Sequence, residues 1–256
     1  MALLSACESK TVSGVGRGEL VWSDEFDGAA LDPNNWRPEV TCTVYNSEEQ
    51  CYTASPNNIR IEAGNLVLSA LKQGGLAHPY SSGRINTLGR RAQAYGTFES
   101  RIKVPCGQGV WPAFWLMPSG DPYGAWPRSG ELDIMEFLGK DPGTIYGTAH
   151  FGELQGGSHP MHHGSHVIDP GRYCDDFHVF ALEWTPTSIT WWVDDVSYLT
   201  LTSTEKSWAP LDHWPFDKPF YVILNLAIGG SWGGPPDPSL TSAQMLVDYV
   251  RVYTQP

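Results

Sequence analysis

Three carboxylates fall within six residues at Glu131-Leu132-Asp133-Ile134-Met135-Glu136, interleaved with apolar side chains. A carboxylate set against apolar surface must be paired, hydrogen-bonded or protonated. In an extended strand, successive side chains point to opposite faces. Glu131 and Asp133 then share one face, and Leu132 and Ile134 take the other. Strict alternation would send Glu136 away from its partners. A β-bulge at Ile134-Met135 would return it, and bulges are common beside active sites. Two carboxyl groups flanking a bond, one ionised and one protonated, can cleave a glycosidic linkage; the retaining reaction needs them about 5–5.5 Å apart. Four straight strand steps would separate the outer Cα atoms by roughly 13 Å, so the bulge and the sheet's curvature must tip the side chains together. Asp133 between them would raise a neighbour's pKa by like-charge repulsion, which suits a general acid.

Two other readings compete. Leu132, Ile134, Met135 and Leu138 could form part of a helical stripe, but Gly130, Gly139 and Pro142 bracket a short run whose acids are not segregated from its apolar positions. The acids could also hold a structural calcium.

The elements that must position these residues look like strands. The 256 residues include 27 Gly, 20 Pro and 11 Trp, and only 17% are charged. Strand signals recur at short intervals and no long amphipathic helix competes. The pattern is all-β, a two-sheet sandwich, and the length suits one domain with a sizeable core. The net charge of −12 argues against nucleic acid, which wants a basic face. It also disfavours sulfated polysaccharides, so a neutral glycan fits better. No apolar run approaches the roughly 20 residues of a membrane span.

The motif and its flanks resemble glycoside hydrolase family 16. Trp126-Pro127-Arg128-Ser129-Gly130 precedes Glu-x-Asp-x-x-Glu, and Gly109-Val110-Trp111-Pro112-Ala113-Phe114-Trp115 lies upstream. Two residues between Asp133 and Glu136 are similar to the laminarinase-type branch; the lichenase-type branch has one. Matching pieces run from about Leu20 to Tyr253. The resemblance implies a jelly roll with a concave substrate cleft. Glu131 would be the nucleophile, Glu136 the acid/base and Asp133 their electrostatic partner, with no cofactor in catalysis. The implied reaction is retaining endo-hydrolysis of β-1,3-glucan such as laminarin, with mixed-linkage β-1,3-1,4-glucan as a second substrate. A galactan hydrolase of the agarase or carrageenase kind is the rival within the class. A non-catalytic, lectin-like glucan-binding sandwich is the rival outside it. Nothing suggests an obligate partner, so a monomer is expected.

Other segments acquire roles through the same resemblance. Asn46-Ser47-Glu48-Glu49-Gln50-Cys51-Tyr52-Thr53 is similar to a family loop in which Asn46 reaches sugar hydroxyls. Arg84, in Ser82-Gly83-Arg84, offers a fork of donors for hydroxyls; its bland reading is a salt bridge on the rim. Trp115 and Trp126 are placed in the cleft and Trp111 is left open, because core packing is the commoner fate of a single Trp. His150 would hydrogen-bond the acids or the sugar, or be a satisfied core residue. Trp232, in the loop Gly229-Gly230-Ser231-Trp232-Gly233-Gly234, would cap a subsite or anchor the loop. One structural calcium is expected on the convex side, held by Glu25, a carbonyl at Gly64, and Asp248. Otherwise Asp24, Glu25 and Asp27 form a solvated turn.

His159, His162, His163 and His166 lie among Gly156-Gly157, Pro160 and Gly164 and read as a substrate-facing loop without the Cys or acid partners of a zinc site. Gly64-Asn65 reads as the turn of a hairpin over residues 58–69. Phe98, Ser100 and Ile102 share one strand face, with Glu99, Arg101 and Lys103 opposite. Asn225 interrupts an apolar strand and must find partners.

Leu4-Ser5-Ala6-Cys7 resembles a bacterial lipobox. A complete signal needs a basic region and a longer apolar core. Residues 1–17 are therefore read as a trimmed lipoprotein signal and flexible tether, and 18–256 as the catalytic domain of an exported or cell-envelope protein. Of five Cys, Cys42 and Cys51 flank a short loop and are expected to pair. The family commonly has an aromatic where Cys51 stands, which supports that pairing. Cys106 and Cys174 either pair or remain thiols.

Overall fold

A computed structural model describes residues 14–205 and 213–256. The lipobox-like segment lies outside the described residues. Among them there is no helix; the chain forms two packed sheets.

The larger sheet runs β15 (Val196–Thr202), β14 (Ser188–Val193), β13 (His178–Trp184), β8 (Gly96–Lys103), β17 (Ser242–Tyr253), β5 (Asn65–Lys72), β6 (Tyr80–Ser82), β3 (Gln50–Tyr52). Long β17 pairs with β8 along one edge. On its other edge it pairs first with β5, then with β1 (Leu20–Asp24). β4 (Ile59–Glu62) closes a hairpin on β5. The central residues of that turn are Ala63 and Gly64, both with positive φ (52° and 73°), one position earlier than the sequence suggested. This is the geometry of a tight hairpin turn.

The second sheet positions the site. Its order is β12 (Met161–Val167), β11 (Thr144–His150), β10 (Glu131–Phe137), β9 (Val110–Pro118), β16 (Phe220–Ile228), β7 (Arg84–Asn86), β2 (Arg37–Pro38), all antiparallel. Phe114, Leu116, Leu132 and Ile134 point inward from this sheet, and Phe98, Ile102, Phe180 and Val247 of the other belong to the same buried cluster. The alternating partners of these inward residues line the outer face.

Two expectations change. The histidine tract is not a loop from Met161 onward but the edge strand β12. Gly164 permits this, because a Cβ there would come within 2.9 Å of Leu199 on β15. Glu99 lies on the face opposite Phe98, yet it is fully buried. The cause is residues 14–17, which are no tether. Val15 packs on Val179 and Ala181, Thr97 donates to the Gly16 carbonyl, and Arg17 pairs with Glu99. Tyr249 also donates its hydroxyl to Glu99 at 2.9 Å. Cys42 and Cys51 form the expected disulfide, and Cys106 and Cys174, left open by the sequence, form a second.

Candidate active site

The bulge on β10 sets the site. Against β9, Asp133 pairs with Trp115, and the next paired residue, Met135, meets Phe114, so Ile134 is the extra residue. The register with β11 shifts between Asp133 and Glu136 in the same way. Ile134 and Met135 both enter the core. Glu131, Asp133 and Glu136 are thereby left together on the outer face. The price of this placement is three acids in a half-dry groove, the outer two held by tryptophan donors.

Trp126 donates its indole N–H to Glu131 Oε2 at 2.6 Å. Its loop is braced by Ser129, whose hydroxyl donates to the Gly124 carbonyl and accepts from Tyr123 N–H. The chain then enters β10 through Gly130, at φ 87°, where a Cβ would come within 2.9 Å of Phe216. Trp111, left open by the sequence, donates its indole N–H to Glu136 Oε1 at 3.0 Å. The signal for it was present: Trp111 and Trp115 are four strand positions apart and so share a face. His150 Nε2 lies 3.0 Å from Asp133 Oδ2. Its other nitrogen, Nδ1, lies 2.7 Å from His159 Nε2, and the His159 ring meets Trp126 edge-on. His159 thus joins the cluster through His150, a link the sequence did not indicate. Ligand atoms of Glu131, Asp133 and His150 lie within 4.8 Å of one another.

Burial dominates the electrostatics. It pushes Glu131 up to about 8, with Asp133 adding repulsion, while His150 and the Trp126 N–H pull the other way. Burial likewise raises Asp133 to about 7. Glu136 is pushed well above the ordinary carboxylate range, by burial first and by Asp133 second. Both outer carboxyls are thus held above the ordinary carboxylate range, and Asp133 contributes to each. Burial, aided by His150, depresses His159.

To one side of the acids lies a polar and aromatic wall. Trp115 donates to Asn225 Oδ1 at 2.7 Å, and Asn225 Nδ2 donates to the Tyr52 hydroxyl at 3.1 Å, which answers what Asn225 does in an apolar strand. Arg84 lies over the Trp115 ring, 4.9 Å from its centroid, and pairs with Glu39 at 3.0 Å. The rim salt bridge and the aromatic contact thus coexist. Asn46 is exposed, and its carbonyl accepts from Ser231 N–H at 2.6 Å, tying its loop to that of Trp232. Trp232 meets Trp111 and Tyr146 edge-on at 5.5 and 5.0 Å. It anchors its loop; among the described contacts it is a buttress for Trp111. Of the histidines on β12, His162 lies near Glu205 and His166 against the Tyr173 hydroxyl, away from the acids.

The convex donor set does not fit calcium. Glu25 accepts two bonds from Arg251, at 3.0 and 2.8 Å, which hold its carboxyl below the usual range. Asp248 accepts from Arg101 at 2.8 Å. Gly64 sits in the open β4–β5 turn. Calcium needs six to eight oxygens, and here both carboxylates are neutralised by guanidinium groups that would repel a dication.

Residues 46–251 match the model of glycosyl hydrolases family 16. The chain belongs to this family. It is 43% identical over 250 residues to a beta-glucanase of Rhodothermus marinus, covering 92% of this chain and 85% of that protein. It is 39% identical over 255 residues to a glucan endo-1,3-beta-glucosidase of Cryptopygus antarcticus, covering 93% of each. In three dimensions it is similar to the laminarinase from Rhodothermus marinus, with a TM-score of 0.86, 40% identity, and coverage of 94% and 99% of the two chains. The jelly roll follows from the fold and the family together, and catalysis in this family needs no cofactor.

Proposed function

We propose that this glycoside hydrolase cleaves internal linkages of β-1,3-glucan with retention, and accepts mixed-linkage β-1,3-1,4-glucan. The observation that carries the reading is the β10 bulge, which gathers Glu131, Asp133 and Glu136 on one open face. Glu131 attacks the anomeric carbon as Glu136 protonates the departing glycosidic oxygen. Glu136, now ionised, takes a proton from water, which releases the sugar from Glu131. Asp133 keeps the proton on Glu136 until it is needed. Trp126, exposed to 42%, offers a flat apolar face to a sugar ring while its N–H holds the nucleophile. Trp115, Arg84 and Asn46 line the same cleft and supply stacking and hydroxyl contacts. The intact carboxylate pair favours this over a lectin-like role, because binding alone has no use for three clustered acids.

Calcium at Glu25, Gly64 and Asp248 has no part in this reading. Two disulfides support export, since they persist in oxidising compartments. We place the enzyme outside the cytoplasm and expect a monomer.

Reducing-sugar release from laminarin, mixed-linkage glucan and agarose, measured side by side with product chromatography, tests the proposal. Rapid release of short oligosaccharides from laminarin is expected, together with an E131S variant that binds glucan without turning it over. Turnover of agarose alone would keep the mechanism and replace the substrate. Binding without turnover by the wild type would favour the lectin.

A further inference from the structure

We propose that Trp111 is a positioning residue for the acid/base: it determines which oxygen of Glu136 carries the transferable proton. An indole N–H only donates. Its bond to Glu136 Oε1 therefore assigns that oxygen as an acceptor, and the acid proton resides on Oε2. In the first step the proton leaves Oε2 for the glycosidic oxygen as the C–O bond breaks and the bond to Glu131 forms. In the second, Oε2 takes a proton from the attacking water. The same N–H holds the carboxylate's rotamer in both steps and stabilises the ionised form between them.

The surroundings of Trp111 are built for a fixed ring. It is 8% exposed and packs among Leu138, Ala227, Tyr146 and Trp232. Gly230, at φ 89°, lies so close that a Cβ would come within 3.0 Å of the indole. Trp232 closes edge-on over it. The Trp232 loop is tied down through Lys140, which donates to the Trp232 carbonyl, and through Ser231 to the Asn46 loop. Trp111 points at Glu136 because everything behind it is occupied.

The inference rests on the glycosidase reading, and the leaving group separates the two. Departure of a sugar needs general acid help; departure of dinitrophenolate, a weak base, hardly does. Because kcat/KM reports the first step for a retaining enzyme, W111F should lower kcat/KM about 30-fold on laminari-oligosaccharides. On dinitrophenyl β-laminaribioside it should fall less than about 3-fold. On that aryl substrate kcat should still fall, since the second step needs a base, and azide should restore it. W111H, which keeps a ring N–H, should recover part of the loss on oligosaccharides.

The pH profile is a further readout. Asp133 and Glu131 on β10, His150 on β11 and Tyr198 on β15 all act on Glu136 or feel its charge. None of them changes in W111F, whereas the lost N–H favoured the ionised form. The alkaline limb should therefore move upward. Equal losses on both substrates with an unmoved pH profile would reduce Trp111 to a packing residue, and unchanged kinetics on both would remove it from the mechanism. If W111F does not fold, W232A is the alternative: it frees the indole without deleting its N–H and should give a smaller loss with the same leaving-group dependence. A wild type inert on both substrates would instead overturn the function itself.

Discussion

Glu131 and Trp126 share a 2.6 Å hydrogen bond, the counterpart of the one between Glu136 and Trp111. Each outer carboxylate has one oxygen occupied by a tryptophan N–H. The bond to Glu131 favours its ionised form and opposes the burial that raises its pKa. Replacing Trp126 with Phe keeps an aromatic face and deletes the donor. The nucleophile's pKa should rise, so the acid limb of the kcat/KM profile should move to higher pH. At the optimum, kcat/KM should fall about tenfold, equivalent to about 1.4 kcal/mol. Steady-state kinetics across pH 4–10, a span of roughly three units on either side of neutrality chosen to bracket raised carboxylates, would show it.

Asp133 raises both of its neighbours. D133N removes that charge, so both pKa values should fall and the whole bell should shift to lower pH, with a loss on the order of 10²-fold at the optimum. This is the opposite direction from W111F for the alkaline limb. Comparing the two variants on one substrate separates a charge effect from a hydrogen-bond effect. A D133N profile that keeps its limbs while losing height would show that Asp133 acts through geometry alone.

The bulge was legible because Glu131, Asp133 and Glu136 cannot share a face otherwise, and the sandwich because strand signals recurred without a helical rival. What the sequence concealed depended on contacts between distant segments. Glu99 has the pattern of an exposed strand residue, and Arg17, 82 positions away, covers it together with Tyr249. Glu25 and Asp248 look like hard-cation ligands until Arg251 and Arg101 are found against them. His159 follows two glycines that suggest a loop tip, and its link to Asp133 passes through His150 on another strand. Spacing along one strand was readable, whereas pairing across strands was not.

Asn225 joins the cleft wall to the sheet, accepting from Trp115 and donating to Tyr52 while only 6% exposed. An N225L substitution strands the indole N–H of Trp115 and loses the Tyr52 contact. The unsatisfied donor should cost about 1–3 kcal/mol in stability. Trp115 should also lose its fixed orientation, so KM for laminari-oligosaccharides should rise more than kcat falls. Chemical denaturation and steady-state kinetics on the same preparation would check both. A stability loss with unchanged KM would place Trp115 outside the sugar path.

Glu131 should cost the fold stability at working pH. Its pKa is raised from 4.5 to about 8, chiefly by burial. A group with a raised folded-state pKa holds its proton more tightly in the native protein than in the unfolded chain. Its contribution is fully present below the unfolded value and is lost as pH rises through the folded one. The wild type should therefore lose stability, relative to a variant that cannot ionise there, between about pH 4.5 and pH 8. E131Q keeps the shape and an acceptor for Trp126 and removes the ionisation. Its Tm should exceed the wild-type value by a few degrees at pH 8 and by little at pH 5, with turnover abolished at both. Thermal unfolding at the two pH values, with glucan absent, measures the difference. A gap that does not grow between them would mean that Glu131 ionises in the native cleft at an ordinary carboxylate pKa, and that burial does not set its charge state.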